Sequence, residues 1–237
     1  MTFKDDLVAA RDNIVGTNFA IRNGTVVPTT EDVGYNEAIR LQSTYLYTDM
    51  ANSSGLVAIS PPETVGKVLR LFLDLSVRII RKHDGAIRSF DGDRVMGIFI
   101  GAGRFDRAVK SALQVKWACD QLIQPKLNDA YKSIREAGWI LRPGCGIASG
   151  EALIVRGGVR RSSSDLVSVG LAPNMAAKLS DVRHAPYHTR IGAATYKKLG
   201  DSARVSKGVD MWDGPHTLKM GGKEYLYYRT SYHWSIG

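Results

Sequence analysis

The chain has 237 residues, 44% hydrophobic and 23% charged, which suits one globular domain with a few added elements. No apolar run approaches the roughly 20 residues that cross a bilayer, and the acidic start does not resemble a signal peptide, so we expect a cytoplasmic protein with no membrane partner. The formal net charge of +9 favours a polyanionic ligand, but the basic residues are spread out and lack the dense arm typical of nucleic-acid binding.

The N-terminal segment differs in pattern from the rest of the chain. Residues 1–40 are predicted to form an extension ahead of a domain that spans 41–237. Apolar residues at helical spacing predict a first helix between Leu7 and Val15. A second short helical stretch is expected near Glu37–Leu41.

The domain is predicted to begin with a strand, Ser43–Thr48, that is rich in β-forming residues. A long helix follows from Pro61-Pro62 to Lys82, since apolar residues repeat there at helical spacing. An Asp-Gly pair between two β-rich runs is a strong signal for a two-residue turn. The later predicted elements are a hairpin of Ala86–Phe90 and Arg94–Ile100, helices at 106–122 and 126–137, a second strand pair of Leu141–Ser149 and Glu151–Val155 around Gly150, a basic loop at 156–164, a strand at Asp165–Val169, helices at Pro173–Leu179 and Ala193–Leu199, and a closing strand at Glu224–Arg229.

This order of elements is βαββαβ with additions. It is typical of a ferredoxin-like α+β fold, in which helices cover one face of the sheet. Because many functions share that fold, the functional prediction depends on individual sites.

Two carboxylates come directly at the ends of predicted strands, Asp49 after the first strand and Asp93 beside the Asp-Gly turn. Such a pair suits hard divalent cations, Mg²⁺ or Mn²⁺, which can hold the attacking and leaving oxygens of a phosphoryl transfer. The hydroxyls and backbone amides of Ser53 and Ser54 are placed to bind a polyphosphate. Taken singly, Asp49 is also explained as a turn residue at the end of a strand.

Five segments resemble, in order and spacing, the motifs of class III adenylyl and guanylyl cyclases. They are YLYTDMANSSG, GAIRSFDGDRVMGIF, CGIASGEALIVRGG, SVGLAPNMAAKL and LKMGGKEYLYYR. The first two resemble the metal motifs, the third the Gly-Ile-x-x-Gly hairpin, the fourth the Asn-x-Ala-x-Arg motif and the fifth the closing Lys-Gly-Lys strand. Together they cover about residues 43–230.

The resemblance implies two divalent cations, Mn²⁺ or Mg²⁺, bound by Asp49 and Asp93 with help from the backbone carbonyl of Met50. In this family the metal residues and the Asn/Arg helix face each other across a head-to-tail dimer. The resemblance therefore implies a homodimer with two composite active sites that act on a ribonucleoside triphosphate.

Three further residues receive roles from the same resemblance. Asn174 would orient the ribose, and Lys223 would hold the terminal phosphates. Lys178 stands where most of the family has Arg, so a point charge would replace a planar fork beside the α-phosphate. The alternative for Lys178 is a solvated lysine on a helix surface.

The residues near the base depart from the purine cyclases. Ser89 and Val167 occupy the two positions that select the purine, and they match neither the adenylyl nor the guanylyl pattern. Tyr47 replaces the usual Phe, and its hydroxyl narrows the site unless the ring only packs in the core. This pattern resembles the bacterial Pycsar pyrimidine cyclases of antiphage defence, which make cyclic UMP or cyclic CMP. The resemblance favours UTP over CTP and implies a separate effector that responds to the cyclic nucleotide.

Three alternatives stay open at the level of the sequence. They are an adenylyl cyclase with altered base recognition, a catalytically inactive nucleotide-binding sensor, and a basic nucleic-acid-binding module. Retention of both metal carboxylates and Asn174 argues against the sensor. The Gly-Gly-Asp/Glu-Glu-Phe hairpin of diguanylate cyclases is absent from the sequence.

Overall fold

The computed structural model describes residues 2–159 and 162–237. Arg160 and Arg161 of the predicted basic loop lie outside the described residues. The helices are α1 (Phe3–Gly16), α2 (Ser53–Ile59), α3 (Pro62–Lys82), α4 (Arg104–Ala118), α5 (Gln124–Ala130), α6 (Lys132–Ala137), α7 (Leu171–Asp181), α8 (Ala193–Tyr196) and α9 (Asp201–Arg204). The strands are β1 (Ala20–Asn23), β2 (Glu37–Ala51), β3 (Ala86–Asp91), β4 (Arg94–Phe99), β5 (Arg142–Gly158), β6 (Ser164–Val169), β7 (Thr189–Gly192), β8 (Val205–Ser206), β9 (Val209–Asp210), β10 (Asp213–Met220) and β11 (Lys223–Thr230).

One large sheet organises the molecule. Its strands run in the order β10-β11-β7-β5-β2-β4-β3, with β1 added beside β2 and β6 beside β5. The long strands β2 and β5 pair antiparallel from the Ala38–Val155 pair to the Ala51–Arg142 pair, and so form the centre of the sheet. Strand β7 then pairs in parallel with β5.

The two faces of the sheet bury separate cores. Neighbouring residues of a strand point to opposite faces, and on β2 the side chain of Leu46 packs among residues of α3 and α4. The side chain of Tyr45 instead packs with Ala176 and Leu179 of α7. Helices therefore cover both faces, which corrects the expectation that they lie on one face. Gly146 of β5 makes the close approach of α7 possible, because a Cβ there would overlap the Ala176 carbonyl oxygen.

Several predicted elements are confirmed, including the first helix, the long Pro62–Lys82 helix and the β3–β4 hairpin. In that hairpin Gly92 takes a φ of 59°, which a glycine adopts without strain. The later strand β6, the helix α7 and the closing strand β11 also lie at their predicted positions. Within the described residues, no helix is long and apolar enough to cross a membrane.

Two predictions about local structure are wrong. Glu37–Leu41 is the start of β2 and not a helix, since Ile39 and Leu41 are buried while Arg40 between them is exposed. This alternation has the period of a strand. Gly150 does not turn a hairpin, because β5 continues through it and pairs it with Ser43 of β2.

Candidate active site

Asp49 lies near the end of β2, on the face of the sheet that α7 covers. It shares this face with Tyr47 and Tyr45, two and four residues earlier in the strand. Only 6% of Asp49 is exposed. The next side chain, Met50, is buried in the core on the opposite face. Met50 can therefore serve the Asp49 site only through its backbone, which is the role that the family resemblance implies.

Two guanidinium groups bind the Asp49 carboxylate. Arg183 donates from Nη2 to Oδ2 over 2.6 Å, and Arg94 donates to the same oxygen over 3.4 Å. Arg94 also binds Asp181 at the end of α7, which joins the helix to the strand. Gly144, the partner of Asp49 on β5, leaves the space for this arrangement, since a Cβ there would lie 2.5 Å from the Ser180 carbonyl oxygen and would meet the Arg183 guanidinium.

The electrostatics of Asp49 favour a cation at this position. Burial raises the pKa of the Asp49 carboxyl, and the nearby Asp93 raises it further, while Arg94 and Arg183 oppose this shift. A carboxylate that is both desolvated and close to a second carboxylate gains from any added positive charge. Arg94 and Arg183 supply such a charge.

Asp93 occupies the turn between β3 and β4 and is half-buried. Strand β4 pairs with β2 up to the Thr48–Val95 pair, so Asp93 and Asp49 lie at the same end of adjacent strands. Among the described residues there is no group of three or more His, Cys, Asp or Glu side chains that could hold a metal ion. Two carboxylates still fit Mg²⁺ or Mn²⁺, because Mg²⁺ is usually bound by one or two carboxylates plus the phosphates of a substrate.

Ser53 and Ser54 begin α2, immediately after the end of β2. Asn52 precedes them with a φ of 60°, a left-handed conformation that turns the chain sharply out of the sheet. Among the described residues no side chain caps this helix, so the two hydroxyls and the first backbone amides are not committed to a cap.

Asn174 and Lys178 lie four residues apart on α7 and therefore share one face of the helix. That face is exposed, whereas Ala172, Ala176 and Leu179 form the buried face against the sheet. Within the part of the chain that the structure describes, neither the Asn174 amide nor the Lys178 ammonium has a side-chain hydrogen bond or ion pair.

Lys223 opens β11 beside the β10–β11 turn and is also exposed. Next to Asp49, one row of paired residues crosses the sheet from Thr48 on β2 through Cys145 on β5 and Thr189 on β7 to Thr230 on β11. Lys223 stands seven residues before Thr230, which places it roughly 20 Å away along the strand at about 3.3 Å per residue. Three strand spacings separate β11 from β2 as well. One chain therefore keeps Lys223 far from its own Asp49.

Tyr47 and Ser89 flank the same residue of β4, because both are paired with Met96. A bulge in β3 at Arg88 precedes Ser89. Arg88 has only 14% of its side chain exposed, and it donates to the Asp165 carboxylate and, over 2.8 Å, to the Leu166 carbonyl. This contact brings β3 against β6, the strand that carries the half-exposed Val167. The two predicted base positions, Ser89 and Val167, each directly follow a residue of this Arg88–Leu166 contact.

No model of a known protein family matches the sequence. The uridylate cyclase of Rhodovulum sp. (strain MB263) is 37% identical over 216 residues, which cover 90% of each chain. The uridylate cyclase of Xanthomonas perforans is 32% identical over 238 residues, which cover 100% of each chain. The chain belongs to the uridylate cyclase family.

The fold agrees with this family. A bacterial light-regulated adenylyl cyclase superposes with a TM-score of 0.65 over 81% of this chain and 90% of that chain. At 19% identity this likeness shows the fold alone. The α+β fold of the class III cyclase catalytic domains is thus confirmed, and the chain is a nucleotidyl cyclase.

Three residues of this nucleotidyl cyclase were missed in the sequence. Arg94 follows Asp93 directly, and strand alternation could have placed it beside Asp49. Arg183 meets Asp49 across 134 residues of sequence, and no local signal indicates that contact. Arg88 lies one residue before a predicted base position, and the bulge that orients it is invisible to a period-two pattern.

Proposed function

We propose that this nucleotidyl cyclase converts UTP, or alternatively CTP, to the 3′,5′-cyclic monophosphate and pyrophosphate. The supporting observation is the row of Tyr47, Met96 and Ser89 with the Arg88–Asp165 pair beside it. Ser89 and Val167 stand at the positions where the class III adenylyl cyclases carry the Lys and the Asp or Thr that read adenine. The relatives named uridylate cyclases support the same substrate class.

UTP is the better of the two pyrimidine substrates on chemical grounds. The Arg88 guanidinium presents only donors, and one of its nitrogens, Nε, is buried without an acceptor in the described structure. Both pyrimidines accept at O2, but at position 4 of the ring uracil carries a carbonyl acceptor where cytosine carries an amino donor. A buried donor that finds no acceptor costs free energy, so the site discriminates by what it would leave unpaired.

The reaction joins the ribose 3′-oxygen to the α-phosphorus and breaks the bond from that phosphorus to the pyrophosphate oxygen. Asp49, Asp93 and the Met50 carbonyl would hold two divalent cations, for which Arg183 must first release the Asp49 carboxylate. When bound, such cations lower the pKa of the 3′-hydroxyl and neutralise charge on the phosphates.

The remaining residues of the chain position and neutralise the substrate. Asn174 orients the ribose, and Lys178 stabilises the charge that develops on the α-phosphate. Ser53, Ser54 and Lys223 bind the β- and γ-phosphates through donors and positive charge. Most of the catalysis is therefore positioning and electrostatics.

We also propose a head-to-tail homodimer. The exposed Asn174, Lys178 and Lys223 of one copy would face Asp49 and Asp93 of the other. The long separation of Lys223 from Asp49 within one chain supports this arrangement.

The product would act as a signal in antiviral defence, read by a separate effector that responds to the cyclic nucleotide. Resemblance to the Pycsar cyclases supports this role. The test is phage infection of cells that carry the chain or its Asp49→Ala variant. Cyclic UMP should rise only with the unaltered chain, and equal levels in both would contradict the role.

The decisive assay for the substrate incubates the pure protein with each of the four ribonucleoside triphosphates and Mn²⁺. Cyclic UMP should be the main product, with pyrophosphate released in equal amount. Cyclic AMP as the only product would support the adenylyl cyclase alternative. Release of no pyrophosphate from any of the four would support the inactive sensor.

A further inference from the structure

A large cavity lies directly beside the strand end that carries Asp49. Its volume is about 890 Å³, and its walls come from α2, the segment 137–143 and the loop 183–190. Asn52 and Gly55, just after β2, form part of the wall. Arg183 lines the cavity and also binds Asp49 over 2.6 Å, so this space and the Asp49 carboxylate share one side chain.

The lining of this basic cavity has one sign of charge. It contains Lys116, Arg142, Arg183 and Arg190, together with His184 and His188. No Asp or Glu occurs among its described lining residues. Lys116 and Arg183 are paired with acids outside the lining, Asp120 and Asp49. In the described structure, Arg142 and Arg190 have no ion pair.

Arg190 differs from an ordinary surface arginine, because only 1% of it is exposed. Its Nη2 donates to the Tyr187 carbonyl over 2.9 Å, but its Nε has no acceptor in the described structure. Burial and the nearby Arg183 lower the pKa of Arg190 to about 10. A buried charge without a counter-ion is costly, so an anion in the cavity would stabilise this guanidinium.

The arrangement differs from an ordinary solvated surface. Exposed basic residues need no partner, and Arg142 alone would carry no argument. Here an exposed arginine and a fully buried one line the same concave space, and the acids that usually neutralise such charges are missing from the described lining. Phosphate oxygens accept two hydrogen bonds at once from a guanidinium fork.

We propose that the basic cavity is a second anion site, which binds inorganic phosphate-type anions and takes up the pyrophosphate that leaves the neighbouring nucleotide site. The inference that an anion binds here depends only on the residues of the cavity. The choice of pyrophosphate over phosphate rests on the proposed function. Arg183 connects the two sites, because it lines the cavity and binds Asp49, and release from Asp49 would free its guanidinium for the cavity.

The test is calorimetric titration of the metal-free protein, in EDTA, with pyrophosphate and separately with inorganic phosphate. The variants are Arg142→Gln at the mouth and Arg190→Gln in the depth of the cavity, with Arg81→Gln on α3 as the matched control. Each cavity variant should weaken pyrophosphate binding roughly tenfold or more, since one charged hydrogen bond is lost. The control should bind as the unaltered protein does.

Each result decides a separate part of the proposal. Equal binding by all variants, or loss only with Lys223→Gln, would place the anion elsewhere and overturn the cavity site. Equal affinity for phosphate and pyrophosphate would overturn the assignment to the reaction product. If Arg190→Gln fails to fold, Arg142→Gln still decides, because Arg142 is exposed. Failure of the cyclase assay leaves this titration unaffected, so the two proposals fail separately.

Discussion

The strand end at Asp49 and the outer face of α7 carry the two proposed halves of the active site, and they differ in whether their polar side chains have partners within the chain. Asp49 is buried and bound by Arg94 and Arg183. On α7, Asn174 and Lys178 are exposed, without side-chain partners in the described structure. The acidic half, at Asp49, has its partners within the chain, whereas the open half, on α7, faces solvent.

This difference supports the proposed homodimer. The carboxylate of the acidic half is already neutralised by arginines of the same chain, so it needs no further positive charge before metal ions and substrate bind. A helix face of polar side chains without partners is suited to a ligand or to another surface. If the two halves meet across a dimer, each should be essential, but for a different reason.

The largest expected effect is at the acidic half. Asp49→Ala and Asp93→Ala should each lower the rate of pyrophosphate release by at least about 10³-fold, because each removes a carboxylate that is proposed to hold the metal ions. Circular dichroism should show an intact fold. Asp74→Ala, on the exposed surface of α3, is the control and should keep full activity. Full activity of Asp93→Ala would contradict the metal assignment.

The open half predicts a smaller loss. Lys178→Ala should lower kcat about 10²-fold with little change in KM, because its charge is needed mainly in the transition state. Lys178→Arg should keep or raise activity, since a guanidinium fork suits phosphate oxygens. An unchanged kcat in the alanine variant would show that Lys178 is only a solvated lysine.

A change at the proposed base-recognition residue Arg88 should lower activity by a smaller factor still. Arg88→Gln should lower kcat/KM for UTP roughly tenfold to thirtyfold, as expected for loss of a charged hydrogen bond. Arg40→Gln, another strand arginine with a carboxylate partner, should leave it unchanged. The same loss with ATP, GTP and UTP would mean that Arg88 supports the fold and does not read the base.

The smallest expected effect concerns the pH dependence of folding stability, which comes from a buried histidine. His188 is 4% exposed, and burial lowers its pKa from 6.5 to about 3. Between these pKa values the unfolded chain binds more protons than the folded one, so stability is full above pH 6.5 and falls as the pH drops. From pH 7.5 to 5.5 the free energy of unfolding should fall by about 1.4 kcal/mol from this residue.

Urea unfolding at the two pH values measures this loss. His188→Gln should reduce the difference between them, since Gln does not titrate. An identical difference in the variant would show that His188 is not held neutral by the fold.

Much of the architecture follows from local patterns, but the contacts that neutralise Asp49 do not. Asp49, Asp93 and the β3–β4 turn are visible as residues at strand ends, and α7 follows from helical spacing. The Arg183–Asp49 contact joins residues that are 134 positions apart, and it depends on the missing Cβ of Gly144. Gly150 shows the converse error, since a glycine suggests a turn until the partner strand is known.

The most direct test of the split site mixes two inactive variants. Asp49→Ala and Lys178→Ala are purified separately, mixed in equal amounts, and allowed to exchange subunits. Half of the dimers are then mixed, and each mixed dimer has one intact site, so about a quarter of the original activity should return. If mixed dimers form but no activity returns above that of the single variants, the two halves act within one chain, and the composite site is wrong.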